Sequence, residues 1–451
     1  MFKTVLIANR GEIALRVART CREMGLQVVA VYSTEDRDSA VAGLADRAVC
    51  IGPGPAKLSY LNMAAILEAA MSTGADAVHP GYGFLSEVPH FAEACETSGL
   101  TFVGPPAAVM ERLGDKSSAR RTMAEVGLPM LPGSIEPIVD ADMAAKVAAD
   151  VGYPVIVKAV AGGGGRGMRV VAEAGELPQR YREIRATAQA LFGDDRVYIE
   201  RYLPAARHVE VQVVCDRYGN GVHLGLRDCS VQRRRQKIIE ETPAPNLPAA
   251  VADDICRAAV QALLATGYVG AGTVEFLLDG PDRWYFMEVN CRIQVEHPVT
   301  ELVYGVDLVR EQLLVAAGEP LSLRQSELAP RGAAIECRVN AEDPARDFLP
   351  TPGRLSELRL PAGQFVRVDS DARAGHRISP SYDPLLAKIS VWGPDRPQAV
   401  TRMLRALDEF HAEGPGVCTN RDFLRTAMRH PSFAAGTHNT SLVAELAPAQ
   451  Q

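Results

Sequence analysis

Apolar residues come first as a run, Val5-Leu6-Ile7-Ala8, then a polar turn at Asn9-Arg10-Gly11, then recur at helical spacing from Glu12 to Met24. A second run covers Val28 to Tyr32, and shorter ones at Ala77-Val78-His79 and Thr101-Phe102-Val103 each end in Pro or Gly. Strands alternating with helices predict a parallel, doubly wound sheet. Only Gly11 marks the first turn. The glycine fingerprint of a dinucleotide site is missing, so this part reads as a mononucleotide-type fold that binds no nucleotide itself.

Breaks near 127–133 and 329–332, rich in Gly and Pro, divide the chain. Between them the pattern predicts strands at 153–160, 168–172, 196–200, 208–214, 221–226, 273–278 and 284–290, and helices around 175–192 and 249–266. After 331 it predicts a mostly β segment (333–339, 353–360, 388–392), then helices at about 396–411 and 418–429. Residues 162–167, GGGGRG, lie between two predicted strands rather than before a helix. That placement predicts a hairpin flap whose backbone N–H groups close over phosphates, with Lys158 at its base. Four successive glycines in an idle surface loop would cost folding entropy for no return.

The most telling alternation is polar. Glu288, Asn290, Arg292, Gln294 and Glu296 are separated by Met287, Val289, Cys291, Ile293 and Val295. An extended backbone would put all five polar groups on one face. Oxygen donors suit Mg²⁺, and a guanidinium beside them suits a small planar anion. Glu275 and Glu288 fall on two strands joined by a turn at Asp279-Gly280-Pro281-Asp282. Pairing Leu278 with Arg283 would set Glu275 opposite Phe286, with Glu288 its diagonal neighbour, and two such carboxylates call for a cation between them. His208 and Glu210 share a face of HVEVQVV, where a histidine is as often a hydrogen-bonded strand residue as a ligand. His79 marks either a functional loop or a strand-ending turn. Spacing alone leaves Arg338 as an ordinary ion-pair partner.

Composition narrows the classes. A chain of 451 residues, 47% hydrophobic and 23% charged, is long enough for two to four packed domains. Its net charge of −7 offers nucleic acid no general attraction. The basic run 233–237 could be a solvated face on charge alone, being followed by Glu240 and Glu241. Nine Cys without a C-x-x-C spacing, no signal peptide and no membrane-length apolar run imply a cytoplasmic protein that meets no membrane. Only seven of the 48 basic residues are Lys: 3, 57, 116, 146, 158, 237 and 388. A lysine kept where phosphate chemistry is suspected therefore carries weight, and Lys237 is read as an anion-binding group.

The ordered segments NRGEIALR (9–16), HPGYGFLSE (79–87), GDKSSAR (114–120), KAVAGGGGRGMRVV (158–171), RHVEVQV (207–213), RDCSVQRRRQK (227–237), GTVEFL (272–277), EVNCRIQVEHPVTE (288–301) and ECRVNAEDP (336–344) closely resemble biotin carboxylase. That family is the ATP-grasp component of acetyl-CoA carboxylase and related enzymes. The resemblance implies a mixed α/β and α+β chain in three parts. These are a pre-ATP-grasp doubly wound domain (1–113), an ATP-grasp core (114–330) with a glycine-rich lid at about 132–204, and a β-rich C-terminal domain (331–446). It also implies the reaction: ATP, bicarbonate and biotin give ADP, phosphate and carboxybiotin through carboxyphosphate.

Carried over by position, the resemblance assigns ATP to Lys116, Lys158, Gly164, Gly165, Glu200, Leu203, His208 and Arg235, together with Glu275 and Glu288. Glu275, Glu288 and Asn290 would hold Mg²⁺ or Mn²⁺. Lys237, Arg292, Gln294 and the Val295 backbone would bind bicarbonate, with Glu296 as general base. Arg338, Tyr82 and Asp383 would serve biotin. Arg235 stands where acetyl-CoA carboxylase members usually carry His. None of the seven lysines is flanked by Met, as a biotin-bearing lysine would be. The expected substrate is therefore biotin on a separate carrier protein, with carboxyltransferase partners, a homodimeric enzyme and a place in fatty acid biosynthesis. Another ATP-grasp carboxylate–amine ligase, or a non-catalytic scaffold subunit, are the alternatives.

Overall fold

Thr4–Ile7 forms the middle of a parallel sheet whose strand order is 47–52, 27–33, 4–7, 77–79 and 101–102. The computed structural model describes residues 2–134, 136–161 and 167–446. Successive residues of this first strand serve opposite cores. Val5 and Ile7 pack with Ile13, Ala14 and Val17 of helix Gly11–Glu23, while Leu6 and Ala8 pack with Ile66, Ala69 and Ala70 of helix Met63–Thr73. A sheet covered on both faces needs such continuous apolar runs.

The first turn is tied to the 79–87 loop. Asn9 donates its side-chain amide to the carbonyls of Pro80 (2.7 Å) and Tyr82 (2.8 Å). Gly81, at φ +63°, leaves room for that contact, since a Cβ there would meet the Asn9 amide nitrogen at 2.8 Å. His79 is fully buried and accepts from the Gly81 N–H at 3.0 Å, and burial lowers its pKa to about 4. It is a neutral residue of a strand-ending turn.

Strands Met168–Val171, Val155–Ala159 and Val197–Arg201 make a separate antiparallel sheet, backed by helices Ala141–Val151 and Leu177–Phe192. Lys158 lies opposite Met168, so the flanks of the glycine segment do form a hairpin. Its tip, with Gly164 and Gly165, lies outside the described residues.

The largest sheet has eight strands in the order 283–290, 270–279, 207–215, 221–233, 236–242, 333–340, 385–393 and 366–369. It corrects the sequence reading in three places. Strand Gly221–Arg233 runs well past 226 and turns into a further strand, Gln236–Thr242. The basic run is the tip of a hairpin, with Arg234 and Arg235 exposed and Lys237 turned inward. Arg234 and Arg235 there have φ +48° and +66°, a left-handed turn normally signalled by Asn or Gly, and neither residue stands there to mark it.

The second correction concerns register. Asp279 pairs with Arg283 and Phe276 with Phe286, and a bulge then brings Glu275 directly opposite Glu288. A one-residue shift at the turn and the extra residue at Met287 together convert the expected diagonal into a direct pair. Third, the extended backbone stops at Asn290. Residues 291–296 form a turn leading into helix His297–Tyr304, so the five alternating polar residues do not share one strand face.

Strands Ala333–Asn340 and Leu385–Gly393 send Ile335, Cys337, Val339, Ala387, Ile389 and Val391 into a core with helix Arg396–Glu409. Their alternate residues Glu336, Lys388 and Ser390 are fully buried on the opposite face, alongside Arg338.

Candidate active site

Three neighbouring strands place one carboxylate each in a row. Glu275 faces Glu210 on strand Arg207–Cys215 and Glu288 on strand Arg283–Asn290. Like charges directly opposite destabilise a sheet unless they are compensated. Lys237, on strand Gln236–Thr242, supplies much of the compensation. Its Nζ donates to Glu210 Oε2 (2.6 Å), Glu275 Oε1 (2.8 Å) and Glu296 Oε1 (2.7 Å). Lys116 donates to Glu288 Oε2 at 3.0 Å, and His208 Nε2 lies 2.9 Å from Glu275 Oε2.

These contacts set the charge states. Burial works to raise the carboxyls of Glu275 and Glu210, but Lys237 with His208 in one case, and Arg227 with Lys237 in the other, hold each at about 2. Lys116 holds Glu288 at about 2 against burial. Glu296, although fully buried, is also lowered, because Lys237, Arg338 and Arg227 outweigh desolvation. All four are ionised at neutral pH. Behind them Arg227, wholly buried, donates to Glu210 Oε1 (2.6 Å), Gln212 Oε1 (2.9 Å) and Thr300 Oγ1 (2.9 Å).

The turn after Asn290 folds its polar residues back over this row. Asn290 donates to Glu275 Oε1 at 2.8 Å and accepts from Arg292 Nη2 at 3.0 Å. Arg292 also donates to Gln294 Oε1 (3.0 Å) and to Glu87 Oε2 (2.9 Å). Glu87 accepts the Cys291 N–H as well, at 2.9 Å, so it fixes both the start of the turn and its guanidinium. The Gln294 side-chain N–H₂ is buried without an acceptor among the described residues. Lys237, Arg292 and that amide together form a donor set for a small anion. Arg338 donates to Glu296 Oε2 at 2.8 Å, and its Nε lies 2.6 Å from Glu240 Oε1.

The oxygens of Glu275, Glu288 and Asn290 also suit a hard divalent cation, since two ionised carboxylates stand opposed with a neutral oxygen beside them. A second trio, His208, Glu210 and Glu275, has ligand atoms within 4.8 Å of one another; Lys237 sits on both of its carboxylates, as Lys237 and Lys116 sit on Glu275 and Glu288. Glu210, Cys229 and Glu296 form a third such trio, with Lys237 on both carboxylates.

Other expected residues lie around this centre. Lys158 and Arg120 both contact Glu200, which is buried at the end of the three-stranded sheet. Burial, with Lys116, Arg120 and Arg235 nearby, lowers the Lys158 pKa to about 7, and Glu288 works the other way. Leu203 is half-buried just beyond Arg201. Arg235 reaches Met168 Sδ from the hairpin tip. Tyr82 donates its hydroxyl to Glu12, and Asp383 is exposed at a pocket that Glu12 also lines, accepting from its own turn. Sequence reasoning missed Glu87, Arg120, Arg227, Glu240, Glu12 and Lys388 as partners. Glu12, Glu87, Arg120 and Arg227 had a signal, as members of the segments NRGEIALR, HPGYGFLSE, GDKSSAR and RDCSVQRRRQK.

The chain matches three family models: biotin carboxylase N-terminal domain over residues 1–110, carbamoyl-phosphate synthase L chain ATP-binding domain over 115–324, and biotin carboxylase C-terminal domain over 336–445. It is 50% identical to biotin carboxylase of Pseudomonas aeruginosa over 440 residues, 97% of each chain. The structure of a biotin carboxylase–ATP-analogue complex from Campylobacter jejuni superposes with TM-score 0.96 at 43% identity, covering 99% of both chains. The biotin carboxylase domain dimer of Hydrogenobacter thermophilus 2-oxoglutarate carboxylase, in complex with MgADP and bicarbonate, gives the same score and identity over 99% of this chain and 98% of its own. By sequence along its whole length, by fold, and by the cluster of lysines and carboxylates at its centre, this chain belongs to the biotin carboxylase family.

Proposed function

We propose that this protein is an ATP-dependent ligase that carboxylates biotin on a separate carrier protein, the first half-reaction of an acyl-CoA carboxylase. The single observation that carries the reading is Lys237 joining three carboxylates of distinct task, Glu210, Glu275 and Glu296, at 2.6–2.8 Å. ATP lies between the two sheets, with its phosphates towards Lys116, Lys158, His208 and the lid, and its adenine towards Glu200 and Leu203. Arg235 adds charge from the hairpin tip. Glu275, Glu288 and Asn290 hold Mg²⁺, or Mn²⁺ in its place, which neutralises the phosphate charge.

Bicarbonate is gripped by Lys237, Arg292, Gln294 and the Val295 backbone. Glu296 removes its proton, and the resulting oxygen attacks the γ-phosphorus to give carboxyphosphate and ADP. The cations that keep Glu296 ionised also favour the deprotonated form of bicarbonate, so the transfer runs between two groups acidified by the same neighbours. Carboxyphosphate releases CO₂ and phosphate. The phosphate takes the ureido proton of biotin, and Arg338 stabilises the enolate-like anion that attacks CO₂. Tyr82 and Asp383 border the biotin side.

A cytoplasmic homodimer working with a biotin carboxyl carrier protein and carboxyltransferase subunits, and a role in fatty acid biosynthesis, complete the proposal. So does the division at 113 and 330 with a lid at about 132–204. Among the described residues no helix is long and apolar enough to cross a membrane.

The test is ATP hydrolysis by the purified protein. ADP release should require bicarbonate and rise with free biotin. Release that ignores both, or that responds to an amine, would point to another ATP-grasp ligase, and no turnover at all to a scaffold. For the metal assignment, Glu288→Gln should raise the Mg²⁺ concentration needed for half-maximal ADP binding by about tenfold or more, the order expected when one charged ligand is lost. An unchanged Mg²⁺ titration would place the ion elsewhere.

A further inference from the structure

Among the seven lysines, Lys388 is the one with no exposed surface. An ammonium ion in such a place is costly unless it is paired and hydrogen-bonded. It stands on strand Leu385–Gly393 directly opposite Arg338 on strand Ala333–Asn340. Two cations as cross-strand neighbours would repel, so each must be held by something else. Arg338 has Glu240 and Glu296.

Lys388 has partners from two other parts of the chain. Its Nζ donates to the Val295 carbonyl at 2.8 Å and lies 3.0 Å from Glu12 Oε1. Glu12 belongs to the first helix, Gly11–Glu23, and the same carboxylate oxygen accepts the Tyr82 hydroxyl. One ammonium thus connects a helix of the N-terminal part, a turn of the middle part and a strand of the C-terminal part. Arg338 and Lys388 act on adjacent residues of the turn: one holds the Glu296 carboxylate, the other the Val295 backbone.

Simple charge balance would need only acids around Lys388, and Glu336 and Asp369 are also close enough to act on it. A directed bond to a backbone carbonyl does more. It fixes the rotation of the peptide on which the bicarbonate donors and Glu296 are mounted. We propose that Lys388, together with Glu12, is a positioning pair that locks the bicarbonate-binding turn to Tyr82 on the biotin side, so that CO₂ is released at a set distance from its acceptor. This role rests on the reading of the 291–296 turn as the bicarbonate subsite.

Full-length Lys388→Met and Glu12→Gln test it, with MgADP affinity by calorimetry, bicarbonate KM in the ATPase assay, and kcat for carboxylation of free biotin. Lys388→Met should raise bicarbonate KM about tenfold, the effect of one well-placed hydrogen bond to the turn. Both variants should lower kcat with biotin about tenfold or more, by misplacing acceptor and CO₂. MgADP affinity should stay within about twofold of wild type in each. A merely structural role would weaken MgADP and bicarbonate together, and that result would overturn the proposal. So would wild-type kinetics in both variants. If Lys388→Met does not fold, Glu12→Gln, which keeps the side chain's shape, decides by its biotin kcat. A wild-type protein whose ATPase ignores bicarbonate would remove the subsite itself. Normal wild-type turnover with unresponsive variants would remove only the role of Lys388 and Glu12.

Discussion

Glu296→Gln should abolish most bicarbonate-dependent ATP turnover, by a factor of about 10²–10⁴, the usual contribution of a positioned general base. MgADP affinity should remain close to wild type. The side chain is fully buried, and each carboxylate oxygen faces one cation, Lys237 at 2.7 Å and Arg338 at 2.8 Å. The amide preserves shape but removes the charge and the proton acceptor together. Lys237 keeps Glu210 and Glu275, and Arg338 keeps Glu240, so the substitution leaves no cation stranded. The loss should therefore fall on kcat rather than on folding. A variant turning over at near wild-type rate would take Glu296 out of the mechanism.

The second large effect belongs to Lys237→Gln. Removing an ammonium bound by three buried carboxylates breaks a buried network, which typically costs about 3–5 kcal/mol. Part of that cost can be relieved by protonation. Glu296 is held low by Lys237 before Arg338 or Arg227, so without the lysine its pKa must rise. A base with a raised pKa is protonated over more of the acidic range, and the acid limb of the pH–rate profile should move up towards neutrality.

Bicarbonate KM should rise far more than the KM for ATP, because the substitution leaves Lys116, Lys158 and His208, the proposed nucleotide partners, in place. Lys237 does touch Glu275, a candidate metal ligand, so some weakening of MgATP is expected as well. Equal effects on both substrates would assign Lys237 to the nucleotide. An acid limb that stayed in place would detach it from Glu296.

Glu210, Glu275 and Glu288 carry the same logic into stability. Their folded pKa values of about 2 lie below the usual carboxylate range. The stability they contribute is present above the unfolded value of about 4.3 and is lost as pH falls towards 2.

Much of this arrangement was legible before the structure. Apolar runs announced the doubly wound sheet, because a strand buried on both faces has no polar residues to confuse the pattern. Glycines 162–165 announced a hairpin, and Lys158 sits on its flank as expected. What the chain hid was register and partnership. A period of two in the polar residues looks the same whether residues 291–296 are strand or turn, and here Lys388 and Glu87 hold a turn from distant segments. The bulge beside Met287 carried no glycine to mark it. Glu12 and Lys388 lie 376 positions apart and had no shared motif, so only packing could pair them. Spacing left Arg338 an ordinary ion-pair partner, and nothing in ECRVN marked Glu336 as fully buried beside it.

The eight-stranded sheet also restricts how a chain of this type can be divided. The sequence breaks at 329–332, but strand Gln236–Thr242 finds its next partner at Ala333–Asn340, beyond the break. A fragment ending at 330 would present Ile238 and Ile239 on a bare edge, with unpaired amides and carbonyls ready to recruit another chain. Any fusion or genetic split that keeps this molecule intact must therefore fall outside the sheet, because the visible seam in the sequence crosses an unbroken piece of hydrogen-bonded fabric.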